Sequence, residues 1–110
     1  MLQAKKLFLL SALLLSVALL PGPAAAGKVN PDCTWNGHRL YGKVEFVKVG
    51  ADVKVEFVPI GQDLKVEFVN AFPNRCGQWQ VVNAFPDLRV EIVNIGADLR
   101  VEVVNNFPGL

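Results

Sequence analysis

The chain has 110 residues, of which 52% are hydrophobic, and 11 Lys and Arg oppose 10 Asp and Glu for a formal net charge of +1. This length accommodates one domain. The balanced, interspersed charges give neither the basic patch typical of nucleic-acid binding nor the basic block that attracts anionic lipid. We therefore expect no nucleic-acid partner.

Residues 1–26 have the layout of a helical secretory signal peptide. Lys5 and Lys6 precede an apolar run from Leu7 to Leu20, and Ala24-Ala25-Ala26 supplies a cleavage site before Gly27. The apolar run is shorter than the ~20 residues that a membrane-spanning helix needs. We expect export to the periplasm or the extracellular space, with no membrane insertion once the signal peptide is removed.

An N-terminal segment, residues 27–42, contains Cys33, and the second cysteine of the chain is Cys76. An even number of cysteines in an exported chain predicts a disulfide. It would close a loop of about 40 residues, which the chain-entropy model values at roughly 3–4.5 kcal/mol. A metal site built from the two cysteines and His38 would lack further ligands, so we expect no metal.

Residues 43–110 contain six copies of one 11-residue unit, which indicates a repeat architecture. The copies read KVEFV at Lys43, Lys54 and Lys65, QWQVV at Gln78, RVEIV at Arg89 and RVEVV at Arg100. The step from Val66 to Trp79 is 13 residues instead of 11, because two extra residues enter around positions 74–77. The units therefore form a three-plus-three arrangement.

Within each unit the apolar residues alternate with charged ones, as Val53, Val55 and Phe57 do with Lys54 and Glu56. Alternation with β-branched and aromatic residues predicts strands, because successive side chains leave opposite faces of a pleated backbone. The fold class predicted is all-β, with six short strands. Trp79 occupies an inward Val position and is predicted to fill the core.

The turns between strands contain either Gly followed by Asp or a Phe-Pro pair. Gly supplies positive φ, and proline is expected to hold the preceding Phe extended. Four Asp residues recur at one turn position and are predicted to cap nearby amides; they are Asp52, Asp63, Asp87 and Asp98. One carboxylate per 11 residues is too sparse for a calcium ladder.

The residues that enzymes use for chemistry are scarce. After residue 26 the chain has no Ser, one Thr, one Tyr and one His, and it has no glycine-rich phosphate loop. We predict no catalytic residues and no cofactor. The Glu residues recur beside Lys or Arg, which indicates a solvated face of ion pairs. Gln78 and Gln80 replace both charges in the fourth unit, as expected if the two positions are mutual partners.

One small group of residues could form a binding surface. It consists of Trp35, His38, Arg39 and Arg75, because aromatic residues and Arg are common in binding hot spots. Packing of both tryptophans in the core is the alternative interpretation.

The repeated [KR]-V-E-φ-V unit, the 11-residue step and the A-D-[VL] turn ending resemble the septoil-knot domain family of small bacterial proteins, over about residues 40–110. The resemblance implies a β-domain wound twice around a ring as a deep 7(1) torus knot, with no established catalytic residues. In such a ring the second circuit starts beside the first, so Cys33 and Cys76 should meet. From the residues alone, a meander of hairpins and a β-solenoid remain open.

We expect a small exported structural or binding protein without catalytic activity that is monomeric by itself. The sequence does not identify its ligand or partner, for which a protein is one candidate. Two other interpretations are a secreted binding module or enzyme inhibitor that uses the Trp35 region, and a self-assembling or adhesive β-protein. The interleaved Lys and Glu residues argue against assembly.

Overall fold

The structure is a computed structural model that describes residues 28–110, so the predicted signal peptide and its cleavage site lie outside the described residues. No helix is present in this described part, and the predicted all-β class is confirmed. The strands are β1 Thr34–Trp35, β2 His38–Arg39, β3 Gly42–Phe46, β4 Val53–Phe57, β5 Leu64–Phe68, β6 Gln78–Val81, β7 Leu88–Ile92 and β8 Leu99–Val103.

Strands β3 to β8 form a closed barrel in the order β3-β6-β5-β8-β4-β7, with every pair parallel. We call β3–β5 the first circuit and β6–β8 the second circuit. Around the barrel the two circuits alternate, so every strand lies between two strands of the other circuit. The three-plus-three division predicted from the 13-residue step is therefore present in the fold.

The register explains how turns of only six residues can join parallel strands. Phe46 at the end of β3 and Val53 at the start of β4 both lie opposite Val90 of β7, one on each side. The turn between them crosses the outside of β7, and its two ends are hydrogen-bonded to that strand. The bonds run from Val47 N to Val90 O at 2.8 Å and from Asp52 N to Arg89 O at 2.9 Å.

The same crossing recurs along the chain. The β4–β5 turn crosses β8, the β6–β7 turn crosses β3 and the β7–β8 turn crosses β4, each with two matching backbone bonds. The segment after β8 crosses β5 in the same way, through Val104 N to Val66 O and Gly109 N to Lys65 O, each 2.8 Å. Each crossing carries the chain past one strand of the other circuit.

This arrangement excludes the hairpin meander. A direct connection between parallel neighbours in a sheet needs a crossover of about a dozen residues. Here most consecutive strands are not neighbours, because a strand of the other circuit separates them. Short turns are therefore compatible with parallel pairing. The β-solenoid is excluded as well, since the strands close into one ring.

The barrel interior contains the inward side chains of all six strands. The buried apolar residues are Val44, Val53, Val55, Leu64, Val66, Trp79, Leu88, Val90, Leu99 and Val101 from the barrel, and Cys33 and Leu40 from the N-terminal segment. The buried face of each strand is therefore the one that the alternation of apolar and charged residues predicts.

Trp79 occupies a position that holds Val in the other five units, and the reason lies beside it. Four units have Val or Leu at the first inward position, whereas the first and fourth units have Gly42 and Gly77 there. Gly42 lies directly opposite Trp79 in the register. Gly42 presents no side chain toward the indole, which is fully buried, and the Trp79 Nε1 donates a buried hydrogen bond of 3.1 Å to Leu40 O.

The starts of the two circuits lie side by side, and a disulfide joins them. Cys33 and Cys76 are bonded with their Cα atoms 5.7 Å apart, as predicted, although 43 positions separate them in the sequence. Gly77 follows directly with φ +82°, and a Cβ there would collide with Lys65 O and Gly109 N. This junction, where the insertion meets both ends of the domain, has room only for glycine.

Replacing Trp79 by Val, the residue that the other five units have at this position, should lower the stability of the folded protein. We predict that Trp79→Val lowers the free energy of unfolding by about 3 kcal/mol or more, because it leaves a cavity beside Gly42 and removes the partner of Leu40 O. Trp79→Phe, which retains most of the volume, should cost less. Denaturant unfolding of both variants checks this, and an unchanged midpoint for Trp79→Val would refute the packing argument.

Candidate functional site

The predicted binding residues begin in the β1–β2 hairpin. Its two-residue turn is formed by Asn36 and Gly37 with φ 51° and 83°, the conformation that tight hairpins require. The hairpin register sets Trp35 opposite His38. Trp35 is partly buried and packs against the barrel core. Its ring therefore contributes to packing as well as to the surface.

Arg39 has a different setting from its neighbours in the hairpin. Its guanidinium carbon lies 4.9 Å from the centroid of the Tyr41 ring, a cation–π distance. One of its nitrogens, Nη2, is 3.7 Å from Asp87 Oδ2 at the start of β7. These contacts tie the N-terminal segment to the second circuit. Arg39 thus acts in part as an internal link.

Arg75, the fourth predicted residue, lines a solvent-open groove of about 530 Å³, which we call the seam groove. It lies where the insertion between the circuits meets the C-terminal segment. Its lining residues are Glu67, Arg75, Cys76, Asn106, Phe107 and Pro108. The predicted four-residue surface is therefore divided: Trp35 and His38 face each other in the hairpin, Arg39 contacts the barrel, and Arg75 belongs to the seam groove.

The seam groove combines two opposite charges with an aromatic ring. Within residues 28–110 the ion pairs are Arg39–Asp87 and Arg89–Glu45, so Arg75 and Glu67 line the groove without forming one. The Phe107 side chain is 88% exposed. A guanidinium can bind a carboxylate through two parallel hydrogen bonds, and a carboxylate can accept from an ammonium or amide. The groove thus offers complementary contacts to a polar chain with an apolar side group.

Phe107 belongs to a set that the sequence interpretation missed. Phe72, Phe85 and Phe107 have φ 55°, 53° and 56°, and they are 83%, 92% and 88% exposed. The expectation that proline holds them extended is wrong. They occupy the turn position taken elsewhere by Gly50, Gly61 and Gly96, all with positive φ. Crossing a strand requires a left-handed residue there, and aligning the 11-residue units would have revealed it.

Each of these Phe residues is bulky and exposed in the left-handed region, which costs free energy and gains no core packing.

The other three turns display a large apolar side chain one position earlier, at Val49, Ile60 and Ile95, which are 81–89% exposed. Each of these six turns therefore presents one apolar side chain to solvent.

The four repeated Asp residues are caps, as predicted, but their partners are not nearby in sequence. Asp52 Oδ2 accepts a 2.8 Å hydrogen bond from the backbone N–H of Arg89, on the strand that its turn crosses. Asp63, Asp87 and Asp98 bind Arg100, Lys43 and Lys54 in the same way, at 2.8–2.9 Å. The carboxylates therefore fasten one circuit to the other. Among the residues that the structure describes, none form a metal-binding cluster.

The charged residues of the outer face also pair between circuits. Glu45 lies opposite Arg89, with Oε1 3.9 Å from Nε, and Glu91 lies opposite Lys54. The interpretation that Gln78 and Gln80 replace mutual partners is wrong, because Gln78 lies opposite Glu67 and Gln80 opposite Lys43. Gln78 has its own role: its Oε1 accepts a 3.2 Å hydrogen bond from Arg75 N and holds the insertion.

The fold defines a distinct class of all-β repeat protein. Two circuits contribute alternate strands to one closed, parallel ring, and a disulfide joins the circuits where they start. Residues 37–110 match the model of the 7(1) septoil knot domain, and the chain belongs to this family. No curated protein matches the chain. The disulfide is compatible with an oxidising, exported environment. In the described region we find no helix of the length and apolarity needed to cross a membrane.

The pairing between circuits predicts which charges are coupled. A double-mutant cycle on Glu45→Gln and Arg89→Gln should give a coupling energy of ~0.2–1 kcal/mol, since the pair is close but largely solvated. The matched control is Glu91 with Arg89, which neighbour each other on one strand but are not register partners. Unfolding free energies check both cycles, and a larger coupling in the control would contradict the assignment.

Proposed function

We propose that this protein is an exported, non-catalytic binding protein that uses the seam groove to hold a protein segment. The observation that carries the proposal is the position of the groove at the break in the repeat, where Arg75, Glu67 and Phe107 line one depression. The repeats elsewhere specify a scaffold. The break adds residues that the scaffold does not need.

The surroundings of the groove favour binding because they are held in place from several sides. Cys76, one of its lining residues, is bonded to Cys33. Reciprocal backbone hydrogen bonds of 2.8 Å between Lys65 and Gly109 fix the C-terminal side. A site that is ordered before its partner arrives loses less conformational entropy on binding. These features support the groove over the Trp35 region, where the indole is partly committed to packing.

The other candidate functions find less support. Catalysis would need a nucleophile or an acid–base pair; the chain after residue 26 has no Ser and a single His, and its strand Glu residues lie beside Lys or Arg on the outer face instead of facing one another across a cleft. Assembly through strand edges would need an unpaired strand, whereas β3–β8 close on themselves. A binding role is consistent with both features.

We further propose that the two circuits are knotted as a 7(1) torus knot. Supporting this, successive turns cross a strand of the other circuit on the outside of the barrel, and the chain passes around the ring twice. Membership of the septoil knot domain family supports it as well. Such a knot is rare, because most folds avoid threading.

A force experiment tests the knot. When the reduced chain is pulled from residues 28 and 110 it should stop short of the ~3.3–3.6 Å per residue reached by an extended chain, because a tightened knot retains part of the length. Optical tweezers measure this contour length. Full extension of the reduced chain would show that it is unknotted.

Export through residues 1–26 is also proposed, on the layout of that segment. The intact mass of the protein recovered outside the cytoplasm should correspond to a chain that starts at Gly27. Fractionation then distinguishes the periplasm from the extracellular space. Retention of Lys5 and Lys6 in the recovered protein would exclude the proposed cleavage.

The binding role is tested by capturing partners from the exported fraction of the native host. We expect a specific protein whose affinity falls about tenfold or more with Arg75→Ala and with Phe107→Ala, since charged and aromatic anchors dominate such contacts. Phe85→Ala is the matched control, because Phe85 has the same turn position and exposure but does not line the groove. Equal loss in all three variants, or no captured protein, would refute the groove.

A further inference from the structure

A second surface lies at the opposite end of the strands from the disulfide. Because the six barrel strands are parallel, their last residues lie at one end of the barrel. These residues point inward by the alternation of each strand, and we call them the end ring. They are Phe46, Phe57, Phe68, Val81, Ile92 and Val103.

The end ring is only partly covered. Phe68, Val81, Ile92 and Val103 are 41–53% exposed. At the strand starts, in contrast, the inward residues are buried, and the N-terminal segment with Cys33 and Leu40 joins that part of the core. The barrel therefore has one sealed end and one end that presents apolar side chains to solvent.

The side chains of the end ring alternate in size around the barrel. In strand order they read Phe46, Val81, Phe68, Val103, Phe57 and Ile92, so each aromatic residue has an aliphatic residue on both sides. The alternation follows from the interleaving, because the first circuit ends its strands in Phe and the second in Val or Ile. The Phe46 and Phe68 ring centroids are 6.5 Å apart and lie 6.3 and 6.2 Å from the centroid of the Trp79 ring.

Such a ring is complementary to itself. A two-fold axis that lies in the plane of the end ring and runs between two adjacent strands superimposes every large position on a small one. Each Phe of one copy then meets Val or Ile of the other, which gives the interdigitated packing typical of stable apolar contacts. A lipid surface or an unrelated apolar partner would not require this order.

Charge and area are both compatible with a second copy. None of the six residues is charged, and the residue that follows each of them is Val. The exposed fractions correspond to apolar area on the order of 400 Å² per copy, about half of the ~800 Å² per partner of a standard interface. The contact is therefore expected to be reversible, with a dissociation constant in the micromolar range.

We propose that two copies of this chain associate end ring to end ring around such a two-fold axis, with each Phe packed on an aliphatic residue of the other copy. The sequence predicts a monomer. At high concentration the proposed dimer forms instead. It uses the opposite end of the strands from the disulfide, so it does not depend on the seam groove.

Sedimentation equilibrium of the purified exported protein over a range of concentrations tests the proposal. The wild type should shift from monomer to dimer. Ile92→Lys should weaken association at least tenfold, because it introduces a charge into the apolar contact. Ile95→Lys is the matched control: Ile95 is 89% exposed in the neighbouring turn, and its replacement should leave the dimer intact.

Ile92→Phe is the decisive variant. It enlarges the apolar surface, so general hydrophobic adhesion would become stronger. In the proposed dimer it sets Phe against Phe, so association should weaken about tenfold. Circular dichroism confirms that each variant is folded, and Val103→Phe repeats the test at a second position. Stronger association of both Phe variants, or a wild type that remains monomeric at millimolar concentration, would overturn the proposal.

A flotation assay with neutral phosphatidylcholine vesicles separates the dimer from a lipid-binding face. We expect no binding that depends on the end ring. Flotation of the wild type that Ile92→Lys abolishes and Ile92→Phe increases would assign the surface to lipid and reject the dimer.

Discussion

Every barrel strand in this protein has its hydrogen-bonding partners in the other circuit, and the rest of the structure follows from this interleaving. Five of the six strand pairs join residues 37 or 44 positions apart, and β5–β6 joins residues 11 positions apart. Neither circuit has neighbouring strands of its own, so neither can form a sheet by itself. Pairing at such separations carries a large loop-closure cost and predicts slow folding. The disulfide and the Asp caps all act between distant segments, where that cost is highest.

The interleaving also explains where the repeat must change. The two circuits start beside each other, and the chain has to pass from one to the next at the same place. The residues there are two glycines at the first inward positions, a tryptophan whose indole is fully buried, a cysteine on each side and a two-residue insertion. A perfectly regular chain would crowd this junction, because a Cβ at Gly77 collides with the backbone of Lys65 and Gly109. The seam groove is a consequence of this irregularity, and the proposed binding role depends on it.

The apolar surface is distributed by the same geometry. Crossing a strand demands a left-handed residue at the apex of each turn, which is met by Gly in three turns and by Phe in three. Because the parallel strands all end at the same end of the barrel, six inward side chains lie together there. Charged residues, in contrast, lie along the outer face, where opposite charges of the two circuits are register partners. The molecule thus has polar sides, apolar turn apices and one apolar end, and the proposed dimer contact uses that end.

Much of this could be predicted from the sequence because it is local. The alternation of Val55 with Lys54 and Glu56 determines which face is buried, and the 11-residue step determines where strands and turns fall. The disulfide and the core position of Trp79 follow from cysteine number and from repeat alignment. The family resemblance supplied the ring. The residues alone did not decide between a ring, a solenoid and a meander.

Only the tertiary structure determines which repeat unit pairs with which other unit. The six units are nearly interchangeable, so their local sequence does not distinguish pairing between neighbours from pairing between circuits. For that reason the sequence predicts that Asp52 caps a nearby amide, whereas its carboxylate binds the backbone N–H of Arg89 on a strand of the other circuit. The seam groove and the end ring were equally hidden, since each assembles residues from several units. The repeat determined the strands, whereas closure of the ring determined their neighbours.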